Sequence, residues 1–384
     1  MNNCKQYLWV LIGIFVLLLS SHIFLLLLVD PLNISMFELS PNEFFIKEMR
    51  FQAGPIVNKI DFDSAIVGSS MAQNFKAKDA NEKLGGKFQN LSPVGSLLKE
   101  RKVILEHFFS QKKVKTLIVS LDGATHVQLN KGIPIDSWSF LYNESFIDDL
   151  SIYTNRKYFP YLSCHSWFNY ELVYYLFGRC PRSMIREKVE DLTEWQSNPG
   201  NNSRFGGIEN WIDHKNHDQI KRAINLIEEA SRIIQTGGIY DANITETFSD
   251  SNEFSRNIIP FIKRFPETRF IFFFPPYSIF YFAITVQAKP YGYSQYKNFV
   301  EKIVLETESH SNAEVYWFNN EKFLTDISNY RDLKHYSAAF NTLFLDYFNA
   351  RGSMINVRNY QSLLDDLEEK ANNVDLAALA RSFQ

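Results

Sequence analysis

The chain has 384 residues, 45% of them hydrophobic and 22% charged, which suits a folded protein with a substantial core. Its 40 basic and 43 acidic side chains leave a net charge of −3, which gives no electrostatic footprint for nucleic acid. The aromatic content is high, with 34 Phe and 19 Tyr, residues that mostly fill cores but can also stack on sugars or sit at a bilayer surface.

The first element is apolar. Residues 7–29 read YLWVLIGIFVLLLSSHIFLLLLV, without a charge, and as a helix they span roughly 30 Å of hydrocarbon. A cleavable signal peptide has an apolar region of about 7–15 residues and a small-residue cleavage site, and neither is present. The expectation is a single transmembrane anchor over 1–30. Lys5 precedes the span and Asp30 follows it, which places the amino end inside, the chain in the cytoplasmic membrane and the bulk of the protein outside the cytoplasm. Cys164 and Cys180 then lie in the outer part. They either pair, closing a short loop worth about 3 kcal/mol, or stand as two buried thiols.

A Pro- and Phe-containing connector occupies 31–61. Beyond it short apolar strands alternate with amphipathic helices, the pattern of an α/β domain with a mainly parallel sheet flanked by helices. Strands are predicted at 62–68 (FDSAIVG), 87–91, 115–121 (KTLIVSL), 269–274 (RFIFFF) and 314–318. Helices are predicted at 96–110, with Leu97, Leu98, Ile104, Leu105, Phe108 and Phe109 on one face, at 294–306, and from just after His335 to about 350. The alternation pauses over 124–255, which reads as a large insertion or cap with aromatic loops and one clear helix near 218–234. The tail, 351–384, carries an amphipathic helix over 362–379 with Leu363, Leu367, Ala371 and Val374 in line.

Three places can carry chemistry. Gly68-Ser69-Ser70 follows the first strand, where open α/β sheets place their ligands, and glycine permits the sharp turn that projects a hydroxyl. Asn90-Leu91-Ser92-Pro93-Val94-Gly95 follows the second strand, and a glycine N–H there can face a developing oxyanion. Asp332-Leu333-Lys334-His335 precedes the last domain helix and holds an imidazole to take a hydroxyl proton and a carboxylate to orient it. Asp213-His214-Lys215-Asn216-His217-Asp218 could offer metal ligands, but polar residues opening a helix explain it more simply. No phosphate-cradling glycine loop, dinucleotide fingerprint or metal-spaced cysteine set is present, so neither cofactor nor metal is expected.

These blocks resemble the SGNH (GDSL-type) hydrolase superfamily, over about 62–123 and 269–350. The Gly-Ser-Ser form, the anchor and Pro275-Pro276-Tyr277 after the fourth strand look most like its branch of membrane-anchored cell-envelope proteins similar to the alginate O-acetylation proteins and to the protein of D-alanyl-lipoteichoic acid synthesis. The resemblance implies a flavodoxin-like sheet with Ser70 as nucleophile, His335 as base and Asp332 as its orienter. The amides of Ser70 and Gly95 would form the oxyanion hole, and Asn90, Asp122 and Tyr277 would line the substrate site. It also implies acyl transfer to a glycan acceptor beside a membrane-bound O-acyltransferase, with the lipid bilayer as a further partner. The alternatives are a simple esterase and a non-catalytic scaffold of a polysaccharide assembly complex. One departure bears on that choice: the family supplies an Asn donor after its third strand, where this chain has Asp122. Either backbone amides carry the oxyanion, or the site only binds.

Overall fold

The computed structural model describes residues 2–29, 33, 44–122, 134–143, 145–149, 187–188, 203–238 and 252–384, with the side chains of the first helix given for 5–21 and 24. Cys164, Cys180 and Gly123 lie outside them. The chain divides into two compact units, one made of Met1–Ile60 and Pro134–Leu192, the other of Asp61–Ile133 and Thr193–Gln384.

In the first unit, helix α1 (Asn2–Val29) exposes its apolar side chains, among them Trp9 (71%) and Leu17 (67%). Among the described residues no helix is long and apolar enough to cross a membrane. Part of the expected connector is a second helix, α2 (Met49–Lys59), with Glu48 accepting from Arg50 N–H as its N-cap and residues 49–57 all buried. The Tyr142 hydroxyl donates to the Met49 and Arg50 carbonyls at 3.1 and 2.9 Å, and Gly54 lets the helix approach the Leu141 carbonyl. The portion of the predicted insertion at 134–149 therefore belongs with α2, whereas 203–238 belongs to the second unit.

The second unit is α/β. Its strands are β1 (Ser64–Val67), β2 (Phe88–Asn90), β3 (Thr116–Ser120), β4 (Arg269–Phe274) and β5 (Ala313–Trp317). All neighbours are parallel, in the order β2-β1-β3-β4-β5, the doubly wound order of flavodoxin-type sheets. Parallel strands are covered on both faces, which is why β4 reads as unbroken apolar sequence. Phe270 and Phe272 share one face and meet Phe109 at 6.0 Å and Phe254 at 5.2 Å. Phe273 points the other way, to Phe75 at 5.4 Å and Phe348 at 5.8 Å. Each such burial stabilises the unit by roughly 1.5–3 kcal/mol.

Its helices include α3 (Ala77–Leu84), α4 (Leu98–Gln111), α5 (Asp218–Thr236), α6 (Pro290–Glu308), α7 (Ala339–Ala350), α8 (Tyr360–Asn372) and α9 (Leu376–Arg381). Four differences from the sequence expectation stand out. Helix α3 was not expected, because only Ala80 of its eight residues is buried and its apolar stripe is the short run Ala77, Ala80 and Leu84. The segment after Pro276, for which no helix was predicted, is helical over Ile279–Ala283 and mostly buried, since Ser278 caps it by accepting from Tyr281 N–H. The stretch 203–255 holds more than one helix, adding Ile208–Asp213 and Asn252–Asn257 to α5. The tail is two helices, because α8 stops at Asn373 and Asp375 caps α9 by accepting from Ala378 N–H. The tail buries Leu364, Leu367 and Ala371, and Tyr293 of α6 donates to the Leu364 carbonyl at 3.0 Å.

Candidate active site

The site forms where β1, β2 and β3 end. The four β1 residues are all buried, and the chain turns at Gly68. A Cβ there would overlap the Ser120 hydroxyl at the end of β3 and the Ala72 methyl, so only glycine lets the turn lie this close to the neighbouring strand. Ser69 faces inward and donates to Asp122, while Ser70 is half-buried. The turn is held from two sides. The Asn90 side-chain amide donates to the Ala72 and Phe75 carbonyls at 2.8 and 2.9 Å, and the Tyr336 hydroxyl donates to the Met71 carbonyl at 2.9 Å.

The loop at 330–336 brings the base. It closes on itself through Arg331 N–H to the His335 carbonyl at 3.1 Å and Ser337 N–H to the Asn329 carbonyl at 2.9 Å. It is anchored by Ser278, whose hydroxyl donates to the Leu333 carbonyl at 2.7 Å. Within it Asp332 Oδ1 accepts the backbone N–H groups of Lys334 and His335, each at 2.9 Å. That turn gives the Asp-x-x-His spacing its purpose, since it points the carboxylate at the ring of the residue three positions on. Asp332 Oδ2 lies 2.8 Å from His335 Nδ1, and His335 Nε2 lies 2.9 Å from Ser70 Oγ across 265 residues of sequence.

The electrostatics fix the tautomer. Burial alone would raise the Asp332 carboxyl, but the facing His335 imidazole, Arg331 and the His335 backbone N–H outweigh it and hold the group well below the usual carboxylate range. An ionised carboxylate only accepts, so Nδ1 carries the ring proton and the Nε2 lone pair faces the Ser70 hydroxyl. Burial pulls the Arg331 guanidinium down to about 10, with Asp332 opposing the fall and Arg204 adding to it. Two buried arginines thus flank the carboxylate.

Ser70, Asp332 and His335 are brought together; the other predicted positions divide. Gly95 sits exposed on the turn after β2 with φ +61°, and its N–H makes no hydrogen bond among the described residues. Asn90 is 4% exposed and its side chain is committed to the turn after Ser70, with Oδ1 accepting Ser92 N–H at 3.1 Å. Asp122 is 1% exposed and its carboxylate is taken up by Arg101, Ser69 and Ser120. Tyr277 is 5% exposed and packs edge-on against Tyr281 at 5.1 Å. The polar atoms of Asn90 and Asp122 are therefore engaged within the protein.

His214 and His217 serve local structure. His214 lies 3.1 Å from the Ser203 hydroxyl and donates through Nδ1 to the Asn210 carbonyl, while His217 accepts Gln219 N–H at the start of α5. Among the described residues no group of three or more His, Cys, Asp or Glu could hold a metal ion.

Sequence reasoning passed over Arg101, Arg204, Arg331 and Tyr336. Arg101 alone carried a signal, since it lies three or four residues from Leu97, Leu98, Ile104 and Leu105 and so falls on the apolar stripe of α4. A charge on such a stripe implies a buried partner. Compared with protein-family models and with curated proteins, the chain matches none.

Proposed function

We propose that this chain is a membrane-anchored serine acyltransferase of the SGNH type, working outside the cytoplasm on O-acyl groups of a cell-envelope polysaccharide. The observation that carries the reading is the continuous relay from Ser70 Oγ through His335 to Asp332, with contacts of 2.9 and 2.8 Å. A serine hydroxyl is a weak nucleophile until a positioned base takes its proton, and no simpler structural role requires all three groups in this order.

In the reaction Ser70 Oγ attacks the acyl carbonyl as its proton passes to His335 Nε2. The imidazolium is stabilised by Asp332, and the N–H groups of Ser70 and Gly95 face the oxyanion. Collapse of the adduct breaks the bond to the donor's oxygen, which takes the proton from His335 and leaves the acyl group on Ser70 as an ester. A sugar hydroxyl then attacks that ester, giving its proton to His335, and the second collapse returns the proton to Ser70. Transfer is preferred to hydrolysis because the uncharged run 7–29 would tether the domain beside a bilayer and a membrane-bound O-acyltransferase partner. The exposed apolar side chains of α1 support that anchor.

The second reading, a scaffold that binds glycan without chemistry, is favoured by Asp122 standing where the family has an Asn donor. A fluorophosphonate probe applied to the detergent-solubilised full chain separates the two. The acyltransferase reading requires labelling mapped to Ser70 and none in Ser70→Ala. A folded wild-type protein that does not label rejects the acyltransferase reading and favours the scaffold. An added oligosaccharide should divert acyl groups from water in the same preparation, and hydrolysis unaffected by any acceptor would reduce the enzyme to an esterase.

A further inference from the structure

Asp122 occupies the position where an oxyanion donor was expected, yet its carboxylate is buried against a guanidinium. The Arg101 and Asp122 side chains are 0% and 2% exposed and meet at 2.9 Å. Arg101 spreads its donors over separate stretches of chain. Its Nε donates to the Ser96 hydroxyl and Nη2 to the Ser96 carbonyl, each at 3.0 Å. Nη1 reaches the Ser120 carbonyl at 2.5 Å, and Nη2 also reaches the Asp122 carbonyl at 3.0 Å. The Ser96 hydroxyl passes its own proton to the Gly68 carbonyl at 2.9 Å. Asp122 receives the hydroxyls of Ser69 and Ser120.

Traced outward, these bonds end on the neighbours of both oxyanion amides. Gly68 and Ser69 immediately precede Ser70, and Ser96 immediately follows Gly95. The third anchor, 120–122, is the end of β3, which lies beside β1 in the sheet. A buried ion pair is seldom the most stabilising solution, since well-packed apolar residues of similar volume are often as good or better. What a planar guanidinium supplies and a hydrocarbon does not is a set of donors at fixed angles to several acceptors.

We infer that Arg101 and Asp122 are a positioning pair, whose charge-assisted bonds set the spacing between the Ser70 and Gly95 turns and so shape the oxyanion hole. Neither side chain touches the reacting atoms. Asp122 replaces the expected donor by fixing where backbone donors stand, through Ser69 on one side and through Arg101 and Ser96 on the other. This inference rests on the acyltransferase reading of Ser70.

The test is the labelling rate of folded, detergent-solubilised full chain by a fluorophosphonate, resolved into its saturation constant and its maximal rate. The Arg101→Met, Asp122→Leu double variant removes both charges together and leaves neither unpaired. Whatever the change in melting temperature, the maximal rate at Ser70 per folded molecule is expected to fall about ten- to a hundredfold with the saturation constant unchanged. A purely structural pair would leave the rate per folded molecule intact, which overturns the inference. Ser69→Ala removes one hydroxyl from the same path and supplies the answer should the double variant not fold. Its maximal rate is expected to fall severalfold, and a wild-type rate overturns the inference. Absence of labelling in the wild type itself rejects the acyltransferase reading instead, so the two failures are told apart.

Discussion

Replacing Asp332 by Asn isolates the electrostatic part of the relay, because the two side chains have the same shape. The amide oxygen can keep the two backbone N–H bonds that Oδ1 now accepts at 2.9 Å from Lys334 and His335. The NH2 group then takes the place of Oδ2, 2.8 Å from His335 Nδ1. Two donors cannot face each other, so the imidazole proton moves to Nε2 and points at Ser70. The ring loses the lone pair that takes the serine proton, and reactivity at Ser70 should drop about a thousand- to ten-thousandfold. Stability should suffer less. Hydrogen bonds to charged groups contribute about 1.5–3 kcal/mol, which corresponds to roughly 3–12 °C in melting temperature for a unit of this size. The assay is the fluorophosphonate labelling rate at neutral pH, measured well below the melting temperature of each variant. Labelling of folded Asp332→Asn within about threefold of wild type would refute the claim that this carboxylate sets the tautomer.

The Gly68 turn makes a steric prediction. Gly68→Ala must push a methyl into the Ser120 hydroxyl and the Ala72 methyl, an overpacking of about 1–3 kcal/mol, whereas Gly95→Ala meets open space and bears only the strain of its positive φ, about 1 kcal/mol. Thermal melts should therefore rank Gly68→Ala below Gly95→Ala, and the reverse order contradicts the packing described. Acid sensitivity follows from Asp332. Its folded-state carboxyl is held below its ordinary value, so below the unfolded value of about 3.9 the unfolded chain binds the extra proton first. The contribution is fully present above that pH and is lost as pH falls through it towards the folded value. Urea titrations should give stability that is level in this respect from about pH 5 to 8 and falls below about pH 4, with a shallower fall in Asp332→Asn. Identical acid slopes in the two proteins would remove Asp332 from the explanation.

The readable part of this molecule was the part where one periodicity met one environment. β4 is apolar on both faces because the sheet is covered on both, and RFIFFF announces it. The Ser70, Gly95 and Asp332-x-x-His335 blocks could be placed because each follows or precedes a strong element and the three together hold a hydroxyl, an imidazole and a carboxylate. Elements with mixed surroundings stayed hidden. Helix α3 carries only the small stripe Ala77, Ala80 and Leu84, and α2 buries Arg50, Gln52 and Pro55 beside its apolar residues, so neither announces itself. Ile279–Ala283 is apolar throughout and buried at all but Phe280, which erases the distinction between a helix and a greasy loop. Asn90, Asp122 and Tyr277 were assigned to substrate, whereas in the structure all three are buried and make contacts within the protein. Spacing locates a polar side chain, whereas only packing decides whether it faces solvent or the neighbouring turn.

The sheet order has a consequence for the life of the chain before it is finished. Strand β3 pairs in register with β4, from Thr116 against Arg269 onward, so the centre of the sheet stays open until the intervening sequence has been made. The hydroxyl at position 70 meets its base 265 residues later. Pairings this distant close slowly, because loop entropy opposes them until many contacts form together. A nascent or truncated chain that lacks the 330–336 loop therefore holds Ser70 without its imidazole partner.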